Sequence, residues 1–305
     1  MKNATLKTFT FLLAFVLMVV LLPAVNTNAD SSGEHGQCGQ NAKWEYCENT
    51  LTISGTGITY NYSAVDRPIS DHFATSAPWY KYRAKITKQV IKNGITGIGS
   101  FAFQHLYNLT EIVWPTDGKL KQIGPCAFAV TNLSVCNIPK GVTYIGTRAF
   151  YGCPLSKVTF PNTLKTIGEA AFAGEGGTKL ASLSIPSSVT TIGNYAFYLN
   201  ENLKSVTGGS GLVSIGSYAF YRCGKLSTFK VTSKKLKTIG AYAFKSCPKL
   251  KTVYIQKTTK LTKKTVKNSL KSSSVKTVKV KSSKVSSYKK YFTKSNCGRK
   301  VTVKK

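Results

Sequence analysis

Hydrophobic residues recur along this chain with a period of 22 to 25 residues. The recurring phrase is Ile-Gly-x-x-Ala-Phe, and it occurs seven times, at 98–103, 123–128, 145–150, 167–172, 192–197, 215–220 and 239–244. After most copies comes a second apolar phrase, Leu-x-x-apolar-x-apolar, as in Leu155, Val158 and Phe160. A fixed period of roughly 20 to 29 residues is typical of solenoid proteins, in which short coils stack on each other.

The two phrases predict a short strand and a tightly packed turn in every coil. Alternation in the second phrase gives a strand with one buried side, and proline ends four of these strands. The glycine after Ile suits either an unusual φ or the close approach of a neighbouring backbone. We expect Ala to let adjacent coils pack closely and Phe to fill the interior, which only stacked coils can bury.

This unit resembles the leucine-rich repeats of the BspA-like family, the variant with Ile-Gly-x-x-Ala-Phe on the convex side. The resemblance covers the chain from about Cys38 to Lys305. It implies a leucine-rich-repeat solenoid, a horseshoe with short parallel strands on its concave face. Unlike the common leucine-rich consensus, no Asn or Cys ladder follows the strand. BspA-like proteins are associated with surface adhesion and with binding of host or matrix proteins, and the resemblance implies a role of that class.

Residues 1–29 have the pattern of a cleaved signal peptide. Lys2 and Lys7 precede an apolar run over 9–22, and small residues follow it up to Ala29. The mature chain is therefore predicted to begin near Asp30. An uncleaved anchor is the rival interpretation, but the run is short for crossing a bilayer, so no transmembrane anchor is expected after cleavage.

The rest of the chain divides into three predicted regions. Residues 30–92 do not repeat and predict a β-rich N-terminal cap, with a strand hairpin that ends in a glycine turn. The seven repeats occupy 93–258. Residues 259–305 predict a Lys-rich C-terminal cap with a last repeat strand, a short helix stopped at Gly298, and a final strand near Val303.

The positive charge is concentrated at the C-terminal end. The net charge is +32, and the chain after Glu201 has 27 Lys and Arg but no Asp or Glu. Such a field attracts polyanions and is weakened by salt. The predicted partner of the basic C-terminal region is an anionic cell-wall polymer or an acidic glycan; the alternative is a solvated surface with no dedicated partner. Nucleic acid is the weaker interpretation, because no recognition motif accompanies the lysines.

Strand alternation predicts which side chains face the concave surface. This face is small and polar in the middle repeats and becomes basic toward the end. The predicted binding surface for a protein or glycan ligand consists of Lys157, Lys204, Lys230, Lys251, Tyr254, Lys276 and Lys279. On the other side, Tyr195, Tyr218 and Tyr242 share one repeat position and predict a packing ladder rather than a binding strip.

The cysteines predict structural roles. Cys38 and Cys47 could form a disulfide bond across the N-terminal hairpin in an oxidising compartment. Three other cysteines, Cys153, Cys223 and Cys247, each follow a repeat Phe by three residues and predict small buried hydrophobic side chains.

No enzyme is predicted. No cysteine spacing suggests zinc, and the chain lacks paired catalytic carboxylates, a phosphate-binding loop and a nucleophile elbow. The sequence therefore predicts no catalytic residue, cofactor or metal site.

Together these features predict a secreted, non-enzymatic solenoid that binds a protein or glycan at the cell surface or in the matrix. The main alternative is a cell-envelope component that its basic C-terminal region retains on anionic wall polymer, without a specific protein ligand. A third hypothesis is a binding subunit or decoy with its own receptor. The ligand stays open, because repeat scaffolds leave specificity to surface residues.

Overall fold

The computed structural model describes residues 33–64, 75–175, 177–255 and 261–305. Over these residues the chain winds into a β-solenoid. Each coil contributes one strand to a front sheet, and most coils contribute a second, two-residue strand to a back sheet. The predicted leucine-rich-repeat solenoid is thereby confirmed. The predicted signal peptide lies outside the described residues.

Three antiparallel strands begin the solenoid, and the second and third of them form the N-terminal hairpin. The three strands are β1 (Glu34–Gln37), β2 (Gly39–Cys47) and β3 (Thr50–Thr59). The turn between β2 and β3 places Glu48 and Asn49 at φ values of 46° and 63°, the left-handed pair of a tight hairpin turn. The predicted glycine turn is wrong, because Gly55 and Gly57 lie inside β3. A Cβ on Gly55 would lie 2.1 Å from the carbonyl oxygen of Asn41, so only glycine lets the two strands approach this closely.

The first coil is joined to this hairpin by an aromatic contact between Trp44 of β2 and Trp79, whose ring centres lie 5.8 Å apart. A 3-10 helix, Pro78–Tyr82, carries Trp79, whose side chain is fully buried. The Trp79 ring stacks on the Phe103 ring at 5.6 Å, and its indole N–H donates to the carbonyl of Ala102 at 2.8 Å. Trp79 therefore begins the aromatic stack that continues through the repeats.

The front sheet has ten strands, all parallel. They are β4 (Lys88–Ile91), β6 (Glu111–Val113), β8 (Val135–Asn137), β10 (Lys157–Thr159), β12 (Ser182–Ile185), β14 (Ser205–Gly208), β16 (Thr228–Val231), β18 (Thr252–Ile255), β19 (Thr277–Val280) and β20 (Thr302–Lys304). They form three hydrogen-bonded groups: β4 and β6 with β3, then β8 with β10, then β12 to β20. Their inward side chains are buried and their outward ones reach solvent, as the alternation predicts.

The back sheet continues from β3 through seven short parallel strands. They are β5 (Ile95–Ile98), β7 (Gln122–Ile123), β9 (Tyr144–Ile145), β11 (Thr166–Ile167), β13 (Thr191–Ile192), β15 (Ser214–Ile215) and β17 (Thr238–Ile239). Each of these strands contains the Ile of the repeated motif. The motif therefore forms the side of the coil opposite to the front sheet.

The repeat Phe residues form one continuous ladder in the interior. Their side chains are at most 3% exposed. From Phe128 to Phe244 the consecutive rings are almost parallel, tilted by 5° to 7°, and their centres are 5.3 to 5.9 Å apart. The prediction that Phe fills the interior of each coil is confirmed.

The motif glycine is required by close approach and not by its φ. A Cβ on Gly216 would lie 2.4 Å from the main-chain nitrogen of Asn194 in the preceding coil. The left-handed φ occurs two residues later, at values of 49° to 57°, on Phe101, Cys126, Arg148, Ala170, Tyr195, Tyr218 and Tyr242. The main-chain N–H of each of these residues donates to a carbonyl of the next coil at 2.7 to 3.0 Å. This bond therefore holds successive turns together.

The coil geometry continues after the motif has disappeared. Leu270 takes the place of Phe in the interior, and Asn268 takes the left-handed position at a φ of 59°. The chain then forms β19, helices α1 (Val285–Lys289) and α2 (Lys294–Cys297), and β20. Gly298 ends α2 at a φ of 71°, and Val303 is buried in β20. The predicted last repeat strand, glycine stop and final strand are present, whereas the single predicted helix is divided into two short ones, and Gly298 ends the second.

Candidate binding surface

A row of basic side chains crosses the C-terminal end of the front sheet. Lys230, Tyr254, Lys279 and Lys304 are register partners on β16, β18, β19 and β20. At about 4.8 Å between strands, this basic row is about 14 Å long. The ammonium nitrogen of Lys279 lies 5.7 Å from the centre of the Tyr254 ring. The structure thus brings three of the predicted site residues together and adds Lys304, which the sequence analysis missed.

A second row of small polar side chains runs beside the basic row. It occupies the outward position two residues earlier on each strand and consists of Ser182, Ser205, Thr228, Thr252, Thr277 and Thr302. We call it the hydroxyl row. Two residues along a strand separate the two rows by about 7 Å, so a single ligand can contact both.

The remaining predicted site residues lie elsewhere. Lys157 is on β10 opposite Val135, and β12 and β14 separate it from the basic row. Lys204, Lys251 and Lys276 lie one residue before β14, β18 and β19, at the edge of the front sheet. The Lys251 ammonium donates to the carbonyl of Pro248 at 2.7 Å, which holds it at the preceding turn.

Charges on the front sheet are paired at its N-terminal end and unpaired at its C-terminal end. Lys88 and Glu111 are register partners on β4 and β6, and their charged atoms lie 3.0 Å apart. No Asp or Glu follows Glu201 in the chain. The lysines of the basic row therefore have no Asp or Glu from the C-terminal coils beside them.

Beside this ion pair, the N-terminal end of the front sheet also carries exposed apolar side chains. Val113 and Val135 face solvent with 39% and 45% of their surfaces exposed. A hollow of about 360 Å³ opens beside Val113, lined in part by Val90, Asn93 and Trp114. The front face therefore changes along the solenoid from apolar, through hydroxyl-bearing, to basic.

The tyrosines on the back of the coils pack against each other. The rings of Tyr195, Tyr218 and Tyr242 stack at 4.9 and 5.1 Å. The ammonium of Lys245 lies 5.2 to 5.9 Å from the centres of three rings, those of Tyr218, Tyr221 and Tyr242. The ring faces are covered by neighbours, so the predicted packing ladder is confirmed.

The predicted disulfide between Cys38 and Cys47 is wrong. Both thiols are free. Cys38 directly precedes the nine-residue strand β2, and Cys47 is the last residue of that strand. A strand of that length separates them by nearly 30 Å, whereas a disulfide requires Cα atoms within about 7 Å.

The three repeat cysteines are buried, as predicted, and they also serve as donors. The thiols of Cys153, Cys223 and Cys247 each donate to the main-chain carbonyl of a Phe in the preceding coil, at 3.1, 3.3 and 3.0 Å. Burial raises the pKa of the Cys153 thiol to about 11. These side chains are therefore part of the packing between coils.

The described residues contain neither a metal-binding cluster nor a membrane-spanning helix. Within them, no group of three or more His, Cys, Asp and Glu side chains could hold a metal ion. In the same part of the chain, no helix has the length and hydrophobicity needed to span a bilayer.

The repeat geometry corresponds to a known family. Residues 80–179 and 175–298 match the model of the BspA type leucine-rich repeat region, in six copies. This chain belongs to the BspA-type leucine-rich repeat family. Its BspA-type repeats include the strands that carry Lys230, Tyr254 and Lys279, whereas Lys304 lies beyond the matched residues.

Solved structures of leucine-rich repeat proteins resemble this BspA-type chain. One from Bacteroides ovatus is 20% identical with a TM-score of 0.51, over 92% of this chain and 76% of that chain. A second, from Eubacterium ventriosum, is 19% identical with a TM-score of 0.40, over 90% and 85% of the two chains. A leucine-rich cell surface protein from Faecalibacterium prausnitzii is 19% identical with a TM-score of 0.32, over 93% and 95%. The Bacteroides ovatus structure shows the shared fold. A search of the curated proteins finds no match.

Proposed function

We propose that this BspA-type protein is an exported, non-enzymatic binding protein that contacts an acidic protein or glycan at the cell surface or in the surrounding matrix. The observation that carries this proposal is the basic row of Lys230, Tyr254, Lys279 and Lys304 on the front sheet. Export is supported by the signal-peptide pattern of residues 1–29. Membership of the repeat family supports a protein-interaction role.

The basic row is unfavourable in the isolated protein. Lys279 and Lys304 are direct register partners on adjacent strands, where like charges destabilise a sheet. On the same sheet, Lys88 is neutralised by Glu111, so the fold can provide a carboxylate at such a position. A negatively charged partner would offset the repulsion that the C-terminal end retains, which favours a binding role for this row.

The second candidate function is retention on an anionic cell-wall polymer without a specific protein ligand. One observation favours it: exposed lysines also cover faces of the C-terminal coils other than the front sheet. Examples are Lys237 before the back strand β17, Lys267 in the following turn and Lys289 on α1. A charge spread over several faces suits attachment in many orientations.

A matched pair of charge reversals separates the two functions. One variant carries Lys230→Glu, Lys279→Glu and Lys304→Glu in the basic row. The control carries Lys237→Glu, Lys267→Glu and Lys289→Glu and has the same change in net charge. The measurement is the fraction of mature protein retained on the producing cells and their isolated walls, in low and high salt. Thermal unfolding shows that both variants are folded.

The proposed function requires that the front-sheet variant lose most of its retention while the control keeps it. Binding of the unaltered protein should also weaken in 1 M salt, where screening acts over about 3 Å. Equal loss from both variants would favour wall retention by overall charge. Full retention of both variants in high salt would overturn both functions and direct attention to the apolar N-terminal end.

A further inference from the structure

The hydroxyl row keeps its hydrogen-bonding groups free. Among the described residues, no side-chain hydroxyl of the row has a hydrogen-bond partner; its members are Ser182, Ser205, Thr228, Thr252, Thr277 and Thr302. Hydroxyls at other positions of the coils are used between coils. Thr143, Ser156 and Thr190 each donate to a carbonyl of the preceding coil at 2.9 to 3.1 Å.

The free hydroxyls begin only in the later part of the front sheet. On β10, the hydroxyl of Thr159 donates to the side-chain oxygen of Asn137 on β8 at 2.8 Å. From β12 onward the outward positions make no such bonds to their neighbours. The chain therefore leaves an ordered series of donors and acceptors on the same strands that carry the basic row.

The arrangement of the two rows determines the direction of a ligand. Both rows cross the strands and follow the direction in which the coils stack. The hydroxyl row covers six strands, or about 24 Å, and the basic row covers the last four of them, about 14 Å. A ligand that contacts both rows along their whole length must therefore be linear and must lie across the strands.

We propose that the two rows together bind a linear acidic glycan, which lies across β12 to β20. Its carboxylate or sulfate groups contact Lys230, Lys279 and Lys304, and its hydroxyl groups exchange hydrogen bonds with the hydroxyl row. This inference rests on the proposed function and names the ligand class and its orientation at the same site.

The chemistry of the surface favours a glycan over other polyanions. Ser and Thr hydroxyls both donate and accept, as sugar hydroxyls do, whereas a polyphosphate chain offers mainly acceptors. The lysines are interrupted at β18, where Tyr254 places an apolar ring with a hydroxyl, half-buried in the row. An extended acidic peptide that binds as an added strand would need a free strand edge, but β14, β16, β18 and β19 are paired on both sides, so across them it could bind through side chains alone.

The test compares defined probes on the full mature protein. They are a length series of heparin-derived oligosaccharides, a series of oligogalacturonates, polyphosphate, and poly-glutamate, each titrated at one fixed salt concentration. The key variant is Thr252→Val, Thr277→Val and Thr302→Val, which removes three hydroxyls without changing charge. The matched control, Thr96→Val, Thr166→Val and Thr191→Val, removes three hydroxyls from the back strands. Among the described residues, these hydroxyls also have no hydrogen-bond partner.

We expect at least one acidic oligosaccharide series to bind, with an affinity that rises with length and levels off once the hydroxyl row is covered. The front-row Thr→Val variant should weaken this binding about tenfold, because several neutral hydrogen bonds are lost together. Its affinity for polyphosphate should fall less, because phosphate oxygens only accept hydrogen bonds and cannot donate to the hydroxyl row. The control should bind all probes as the unaltered protein does.

Two results would overturn the inference while leaving the proposed function intact. One is an unchanged glycan affinity in the front-row Thr→Val variant when the basic-row reversal abolishes binding, because the surface then acts by charge alone. The other is tighter binding of poly-glutamate than of any glycan at equal charge, because the surface then prefers an acidic polypeptide. Tighter binding of polyphosphate would also overturn the inference, and it would favour retention on an anionic wall polymer. Loss of the proposed function itself would appear separately, as binding that survives reversal of the basic row.

Discussion

The thiol of Cys247 donates a hydrogen bond of 3.0 Å to the main-chain carbonyl of Phe220 in the preceding coil. Cys223 makes the same contact to Phe197 one coil earlier. At the equivalent position two coils before Cys247, the side-chain amide of Asn200 donates to a Phe carbonyl at 2.8 Å. The position three residues after the repeat Phe therefore provides a donor for a carbonyl that the fold has buried.

This contact predicts different effects of two substitutions at Cys247. Cys247→Ala leaves the Phe220 carbonyl without its donor, and we expect the free energy of unfolding to fall by about 1 to 3 kcal/mol. Cys247→Ser keeps a donor and should lose less. Denaturant unfolding of both variants measures the difference. If serine proves as destabilising as alanine, the thiol contributes through its volume and not through its hydrogen bond.

The Phe ladder predicts a large loss of stability at its centre. The ring of Phe172 lies 5.3 Å from that of Phe150 and 5.7 Å from that of Phe197. Phe172→Ala should lower the free energy of unfolding by about 3 to 5 kcal/mol, since a buried ring is replaced by a cavity. Ser184→Ala, on the exposed front face, is the control and should stay within about 0.5 kcal/mol. A similarly small loss at Phe172 would contradict its place in the core.

The sequence could predict this core because one side chain at a fixed position of every coil must stack on its counterparts. It could not predict the left-handed backbone at Tyr218. Seven residues of five types occupy that position, so their chemistry carries no signal. The conformation is instead determined by the hydrogen bond from the Tyr218 N–H to the next coil, at 3.0 Å to Ala241.

The sequence also predicted part of the binding surface. Strand alternation identified Lys230, Tyr254 and Lys279, because outward residues of parallel strands fall into register. Lys304 escaped because two helices separate β19 from β20 and interrupt the period. The disulfide prediction failed for another reason: a hairpin pattern does not reveal that Cys38 and Cys47 belong to the two ends of one strand.

Thiol reactivity should distinguish Cys47 from the other cysteines. Cys47 is exposed, whereas burial raises the pKa of Cys38 to about 12 and that of Cys297 to about 11. The thiolate is the reactive form, so at neutral pH the buried thiols stay protonated as well as inaccessible. Iodoacetamide should therefore label Cys47 first in the native protein and all eight thiols in denaturant, as peptide mass analysis can show. Labelling of Cys47 that requires prior reduction would reveal a disulfide bond that this structure does not contain.

The signal-peptide prediction concerns residues outside the described structure. The short apolar run and the small residues that follow it predict cleavage close to Asp30. Intact-mass analysis of protein recovered from the medium or the cell wall measures the new N-terminus. A chain that keeps Met1 and partitions into detergent would instead be anchored by its N-terminal segment.

Because the same bonds join every pair of successive turns, the length of the front face depends only on the number of coils. Since the left-handed residue of each turn binds the following turn in the same way, a whole coil can be gained or lost without remaking the contacts on either side. Each such event would move the apolar hollow near Trp114 and the basic row at Lys230 apart, or together, by one strand spacing of about 4.8 Å. The number of middle coils therefore sets the distance between the apolar hollow and the basic row without changing the residues of either one.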